Sequence, residues 1–184
     1  MPLQGHEAFD LNELLMSCVN SINCMGFFKN HATDPQLKQM LEKHLDAHIQ
    51  DYNMKVEWAS KGQSNQKLQM PAMPAKMMQT TMPKPQPVTP NPEATSFDDR
   101  AIATAYLLTL KRAGREYAWS TFEVSDPQLR QFLEDAFRMN SRHSLEVSQW
   151  MTQKGYYPTE QASSTYLMQL AQMYQPVQAM AGVH

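Results

Sequence analysis

The fold is decided by a stretch that occurs twice in the chain. Residues 33–42 read TDPQLKQMLE and residues 125–134 read SDPQLRQFLE, an offset of 92 residues. In both copies Asp followed by Pro predicts a helix start, because the Asp side chain caps free backbone N–H groups and Pro fits the first helical position. Trp58 and Trp150 keep the same offset, and Lys-Gly pairs at 61–62 and 154–155 predict the helix ends. The chain is therefore an internal repeat of helical units.

A further helical pattern precedes each of these helices, so each copy predicts a hairpin of two long helices. Apolar residues recur at steps of three and four in all four segments. The hairpins cover residues 7–62 and 98–155, and their apolar stripes pack together as an all-α four-helix bundle. A short helix over residues 163–174 is expected to close one end of this bundle. The stripe after Pro35 is read as Leu37, Met40, Leu41, Leu45, Ile49, Tyr52, Val56 and Trp58, and the other stripes include Phe9, Val19, Phe122 and Phe137.

The segment between the hairpins, residues 63–96, has a different composition. It holds seven of the 12 prolines and five of the 15 methionines, and no aromatic residue. This composition predicts an extended, solvated linker. A helix of about 24 residues is ~36 Å long, and the linker is long enough to return over that distance, as a connection between parallel helices requires. The linker therefore favours a ferritin-like fold with one long crossover over a simple up-down-up-down bundle.

Composition excludes several classes of function. The 184 residues suit a single domain, and 16 Lys and Arg against 18 Asp and Glu give a net charge of −2, with no basic face for nucleic acid. The sequence contains no run of about 18 apolar residues, so membrane insertion is not expected. Residues 1–10 lack the features of a signal peptide. Cys18 and Cys24 lie about 9 Å apart along one helix, too far for a disulfide with each other. They are expected to be buried free thiols, with cross-links to other chains as the alternative.

A ferritin-like bundle raises the question of a metal site, for which the sequence offers an incomplete set of ligands. His48 and Asp51 on helix two, and Asn140 and His143 on helix four, are pairs spaced three residues apart. With Glu116 from helix three they give a candidate mononuclear set of His48, Asp51, Glu116 and His143. A dinuclear centre needs about four carboxylates, more than this set provides. The favoured interpretation is a polar layer of side chains hydrogen-bonded to each other, so no metal or cofactor is predicted.

Other signals of chemistry are weak. His44 and His48 are spaced four residues apart, which suits zinc binding from one helix, but a position at the helix surface is the favoured interpretation. The sequence contains no Gly-rich phosphate loop and no nucleophile elbow. We therefore predict no catalytic residues and no enzymatic activity.

Two segments of the second hairpin are distinctive: SDPQLRQ at residues 125–131 and WMTQKGYYP at residues 150–158. They are similar to the Asp-Pro-x-Leu-Arg helix start and the Met-x-x-Lys-Gly-aromatic-Tyr-Pro ending of the spore coat protein F (coat F domain) family of endospore-forming bacteria. The resemblance runs from Ala101 to Pro158, with the first hairpin as a diverged copy. It implies a ferritin-like fold and a structural role in the spore coat, with synthesis in the mother cell cytoplasm and no catalytic residues.

The leading hypothesis is a non-catalytic structural or assembly protein of the spore coat. Its expected partners are other spore coat proteins, with a homodimer as a further candidate assembly, and its expected contact features are Tyr156-Tyr157 as exposed aromatic residues and the Met-rich linker. The alternative is a metal-binding ferritin-like protein, an oxidase of iron or of a small substrate. A third hypothesis is a general helical bundle that dimerises and binds a regulator.

Overall fold

The computed structural model describes residues 3–77 and 83–177, which form five α-helices and no strand. The helices are α1 (Gly5–His31), α2 (Pro35–Lys61), α3 (Asp99–Glu123), α4 (Pro127–Gln153) and α5 (Ser164–Met173). The predicted all-α architecture of four long helices and a short C-terminal helix is confirmed. Within the described ranges, no helix has an apolar stretch of the length and composition needed to cross a membrane.

The repeated sequence signals act at the helix ends as expected. The Asp34 carboxylate accepts hydrogen bonds from the backbone N–H groups of Gln36 and Leu37 at 2.9 and 3.1 Å, and Asp126 caps α4 in the same way. The C-terminal signals Gly62 and Gly155 adopt left-handed φ angles of 64° and 73°. Glycine favours both positions because a side chain is strained at positive φ.

The four long helices form a ring in the order α1, α2, α4, α3. α1 packs beside α2 and α3, and α4 packs beside α3 and less closely beside α2. At one end of the bundle Lys154, after α4, lies 2.7 Å from Asp34, at the start of α2. At the other end His6, in α1, lies 3.1 Å from the backbone oxygen of Glu123, in α3. α2 and α3 therefore run parallel, and the connection between them returns over the length of the bundle, as the ferritin-like arrangement requires.

Each repeat holds the turn of the other through one carboxylate. Asp99, in the first turn of α3, accepts from the N–H and hydroxyl of Thr33 at 2.8 and 2.6 Å and from the N–H of Asp34 at 2.9 Å. Glu7, in the first turn of α1, accepts from the N–H and hydroxyl of Ser125, both at 2.7 Å. Glu7 and Asp99 are 92 residues apart, as are Thr33 and Ser125. We call these two carboxylates the turn latches.

The first part of the crossover between α2 and α3 lies against α2 and α4 and is less solvated than its sequence predicts, whereas residues 84–96 are exposed as predicted. Leu68 is 2% exposed within the core. The Gln50 side chain of α2 bonds the backbone of residues 67 and 69, and Arg142 and Gln149 of α4 donate to the backbone oxygens of Pro71 and Ala75. Backbone groups that a Pro-rich segment cannot pair internally are thus bound by polar side chains of the two helices.

α2 turns a different face inward from the one its apolar stripe predicts. Its buried residues include His44, His48, Asp51 and Lys55, whereas Ile49 and Val56 are 38% and 42% exposed. The prediction is wrong here because the inward positions continue at steps of three and four through polar residues that bond to one another. The other stripes contain similar errors: Phe9, Val19, Phe122 and Phe137 are exposed.

Two predictions for the C-terminal segment are also wrong. α5 does not close the bundle, because none of its residues is buried. Tyr156 and Tyr157 are half-buried rather than exposed, and both pack against the core. The N–H groups of both tyrosines donate to the backbone oxygen of Met151, which folds the rings back over the last turn of α4.

Candidate functional site

Polar side chains occupy the middle of the bundle, between two apolar layers. The layer near the α1–α2 turn contains Met25, Leu37 and Trp150, and the opposite layer contains Leu14 and Trp58. The residues between them are 6% exposed or less, and we call them the polar layer: Cys18, His44, His48, Asp51, Lys55, Tyr106, Tyr117, Asn140 and His143.

One half of the polar layer is centred on Asp51. Its carboxylate accepts hydrogen bonds from the Lys55 ammonium, the Tyr117 hydroxyl and, at 3.3 Å, the Cys18 thiol. Lys55 Nζ also donates to the Tyr117 hydroxyl at 2.7 Å and lies 5.2 Å from the ring centroid of Phe132. A buried ion pair is tolerated only when the remaining donors and acceptors are satisfied, and Tyr117 and Cys18 do this for Asp51.

The other half is a chain of imidazoles. His44 lies 3.0 Å from the Tyr106 hydroxyl through Nδ1 and 3.0 Å from Glu146 through Nε2. His48 Nε2 lies 3.4 Å from both the Tyr106 hydroxyl and His143 Nδ1. The rings of His44 and His143 stack with centroids 3.6 Å apart. The chain thus runs from the partly exposed Glu146 into the centre of the bundle.

Burial keeps the titratable groups of the polar layer uncharged around the Asp51–Lys55 pair. It lowers the pKa of His48 to about 4, and burial together with His44 and His48 holds the pKa of His143 far below its usual range. Burial raises the pKa of the Cys18 thiol to about 11, and burial and the Asp51 charge raise the pKa of Tyr117 well above its ordinary value. Each shift has the same cause, the cost of a charge in a low-dielectric interior.

The structure brings together only part of the candidate metal set. His48, Asp51 and His143 lie in the polar layer, but Asp51 is engaged by Lys55. Glu116 lies on the α1–α3 surface, where it pairs with Arg112 and accepts from the Ser17 hydroxyl at 3.0 Å. Across residues 3–77 and 83–177, no three His, Cys, Asp or Glu residues are grouped as metal ligands.

His44 and the two cysteines occupy different environments. The expected surface position of His44 and His48 is wrong, since both side chains are buried. Cys18 and Cys24 are both free, but only Cys18 is buried, whereas Cys24 is half-buried and lies beside Asn20.

Sequence reasoning missed Lys55, Tyr106, Tyr117 and Glu146 as members or neighbours of the polar layer. The available signal for Lys55 was its spacing: it follows Asp51 by four residues and precedes Trp58 by three, so it lies on the face that carries the tryptophan. Asn140, at the repeat position of His48, is 1% exposed. Its Oδ1 has no donor among the described residues.

Fold and interior together define the class of protein: a ferritin-like four-helix bundle with a largely self-bonded polar layer. Residues 98–160 match the Coat F domain family, which confirms the resemblance that the sequence predicts for the second hairpin. The chain is also 22% identical over 176 residues to the spore coat protein F-like protein YhcQ of Bacillus subtilis (strain 168), over 95% of this chain and 81% of YhcQ.

A solved structure has the same fold. The crystal structure of a candidate spore coat protein from Bacillus halodurans C-125 superimposes with a TM-score of 0.65 at 15% identity, over 89% of this chain and 97% of that one. The match extends across both hairpins, so the shared fold includes the first hairpin, which lies outside the Coat F domain match.

Proposed function

We propose that this chain is a structural protein of the bacterial spore coat, which acts through contacts with other coat proteins and without catalysis. Support for the coat comes from the Coat F domain match and the similarity to YhcQ. Synthesis in the mother cell cytoplasm is part of the same proposal. Such a protein functions through its surface, so the exposed side chains are the place to look for its activity.

The observation that carries the contact role is a set of three exposed aromatic residues near one end of the bundle. Trp119 and Phe122 in the last turns of α3 are 70% and 79% exposed, and Phe9 in the first turns of α1 is 64% exposed. The contact between His6 and Glu123 places these helix ends together. Large apolar side chains grouped on a surface mark a contact site for another protein, and aromatic residues are typical anchors of such contacts.

The polar layer supports the non-catalytic part of the proposal. The Asp51 carboxylate already accepts from three donors, and the Cys18 thiol is protonated because burial raises its pKa. A general base or a nucleophile needs a free lone pair within reach of a substrate. Asp51 and Cys18 instead use their lone pairs and protons in hydrogen bonds within the polar layer.

Localisation in sporulating cells tests the proposal. The full-length chain, fused to a fluorescent protein, is expected to form a shell around the forespore and to be recovered in the extracted coat fraction. Trp119→Ser with Phe122→Ser should reduce that recovery. The matched control, Phe137→Ser with Leu145→Ser, changes exposed apolar residues of α4 and should be recovered at the native level. A native chain that stays diffuse in the mother cell would contradict the coat function.

A further inference from the structure

An open apolar groove lies between the two helices of the first hairpin. Its volume is about 730 Å³, and its walls include Leu15, Met16 and Val19 of α1 and Tyr52 and Val56 of α2. No charged residue of the described chain lines it. We call it the hairpin-1 groove.

The second hairpin differs at the corresponding surface. Leu107, Leu108 and Lys111 stand at the repeat positions of Leu15, Met16 and Val19, and they line a groove with Tyr157. Tyr157 lies over Lys111, with 3.1 Å between its hydroxyl and Nζ. An aromatic segment that follows α4 therefore lies over part of this surface, and a groove of about 750 Å³ stays open between it and the end of the crossover.

The chain that follows α2 takes another course. The Ser64 hydroxyl bonds to Glu57, and residues 67–69 bind Gln50 as the crossover moves towards α4. Among residues 3–77 and 83–177, no residue after α2 lines the hairpin-1 groove, whereas Tyr157, after α4, lies over Lys111. Tyr52 and Val56 also stand where the second hairpin has Ser144 and Ser148, so the bundle itself does not require apolar residues there.

α5 has the complementary properties. Leu167, Leu170, Ala171 and Tyr174 form an apolar stripe along it, and Leu167 and Tyr174 are 53% and 71% exposed. The sequence from residue 161 to residue 183 contains no Asp, Glu, Lys or Arg. An isolated helix of this length is marginal in water, so it needs a surface on which to pack.

From these observations we infer that α5 of one copy docks in the hairpin-1 groove of a second copy. Both surfaces are apolar and uncharged, so docking desolvates no ion. The groove and α5 are different parts of the molecule, so a single contact is heterologous and leaves a free groove on one copy and a free α5 on the other. Repeated addition would extend a chain of copies. The inference deepens the proposed coat function and rests on it for its cellular meaning.

Sedimentation velocity of the purified full-length chain tests the inference. The native chain should form larger species as its concentration rises. Val56→Glu, which places a charge in the groove, and Leu167→Glu with Leu170→Glu, which does so on α5, should each weaken association by at least about tenfold. Ile49→Glu on α2 and Gln169→Glu on α5 are the matched controls and should associate like the native chain. Circular dichroism verifies that each variant is folded.

Mixing the two defective variants identifies the geometry. The groove variant retains its α5 and the α5 variant retains its groove, so an equimolar mixture should form a dimer of one copy of each and nothing larger. A native chain that stays monomeric at all concentrations, an α5 variant that associates normally, or a mixture that remains monomeric would overturn the inference. None of these results would alter localisation to the coat, which tests the proposed function separately.

Discussion

The two hairpins of this bundle are alike at their ends and different along their length. Both begin their second helix with Asp-Pro, and each holds the turn of the other through a turn latch, Glu7 or Asp99. Between these ends α2 carries His44, His48, Asp51 and Lys55 on its inward face, where α4 has Ala136, Asn140, His143 and Val147. The outer surfaces differ as well, since the apolar hairpin-1 groove has a more polar counterpart in the second hairpin.

This difference separates what defines the scaffold from what can vary within it. Helix caps and turn latches fix where helices start and how the hairpins align, and they are present in both copies. A residue at an inward position must only pack against its neighbours or form hydrogen bonds with them. Val147 packs in an apolar cluster, and Lys55 donates hydrogen bonds to Asp51 and Tyr117. Because Ala136 and Val147 stand at the repeat positions of His44 and Lys55, these polar residues of α2 are one solution among several for filling the bundle.

The largest effect is expected where the two interiors differ most. Lys55→Met leaves the Asp51 carboxylate buried without its cation and should lower the free energy of unfolding by about 3–5 kcal/mol. Asp51→Leu combined with Lys55→Met removes both charges from the interior of the first hairpin and should recover most of this loss. Urea denaturation measures both. Lys43→Met removes an ion pair whose Lys side chain is 60% exposed and is the control, with an effect below about 1 kcal/mol.

The histidines of α2 should make stability depend on pH. The pKa of His48 is about 4 in the folded chain, against 6.5 for the unperturbed group, so the unfolded chain binds the proton more tightly. Stability from this group is complete above pH 6.5 and is lost as the pH falls towards 4, by at most about 3 kcal/mol.

Denaturation curves between pH 4 and pH 7 measure this loss. His48→Gln should reduce the dependence without abolishing it, because the pKa of His143 is depressed as well, whereas His6→Gln, which changes an exposed histidine, should leave it unchanged. If the native chain and His48→Gln lose stability equally over this range, His48 is not the group responsible.

The turn latches offer a comparison between equivalent positions. Glu7 is 3% exposed and Asp99 is half-buried, so Glu7→Ala should cost about 2–3 kcal/mol and Asp99→Ala about 1 kcal/mol. Glu13→Ala removes an exposed carboxylate of α1 and serves as the control. Equal and negligible losses at both latches would show that the turns are held by the Asp34 and Asp126 caps alone.

The smallest difference in stability is expected between variants of Gly62 and Gly155, the glycines that follow the second helix of each hairpin. Both have positive φ, so Ala at either position costs about 1 kcal/mol in strain. A Cβ at Gly155 would also lie 2.8 Å from the backbone oxygen of Lys84 in the crossover. Gly155→Ala should therefore lower the melting temperature more than Gly62→Ala, and the reverse order would show that the crossover yields easily at this point.

The sequence was sufficient to predict the features that depend on local chemistry. Asp34-Pro35 and Asp126-Pro127 mark helix starts because capping is determined within a few residues, and the crossover length favours the arrangement with one long crossover. Which face of each helix points into the core is harder to predict. In α2 two stripes compete, one apolar through Ile49 and Val56 and one mixed through Asp51 and Lys55, and the mixed stripe lies inside.

The candidate site required contacts between distant segments. Asp51 and Lys55 are neighbours on α2, but Tyr117 and Cys18, which complete their bonding, come from α3 and α1. Glu116 lies on the same helix as Tyr117, one position earlier. That one-residue step is enough to place its side chain on the surface. A spacing pattern locates residues on one helix and does not give the rotation of the next helix.

If the surface of the bundle rather than its polar layer carries the function, one comparison in sporulating cells tests this directly. The full-length Asp51→Leu/Lys55→Met variant and the Trp119→Ser/Phe122→Ser variant are each expressed in place of the native chain, and their amounts in the extracted spore coat are measured. The polar-layer variant is expected at the native level and the surface variant at a reduced level. A folded polar-layer variant that is lost from the coat, with the surface variant retained, would contradict this account of the protein.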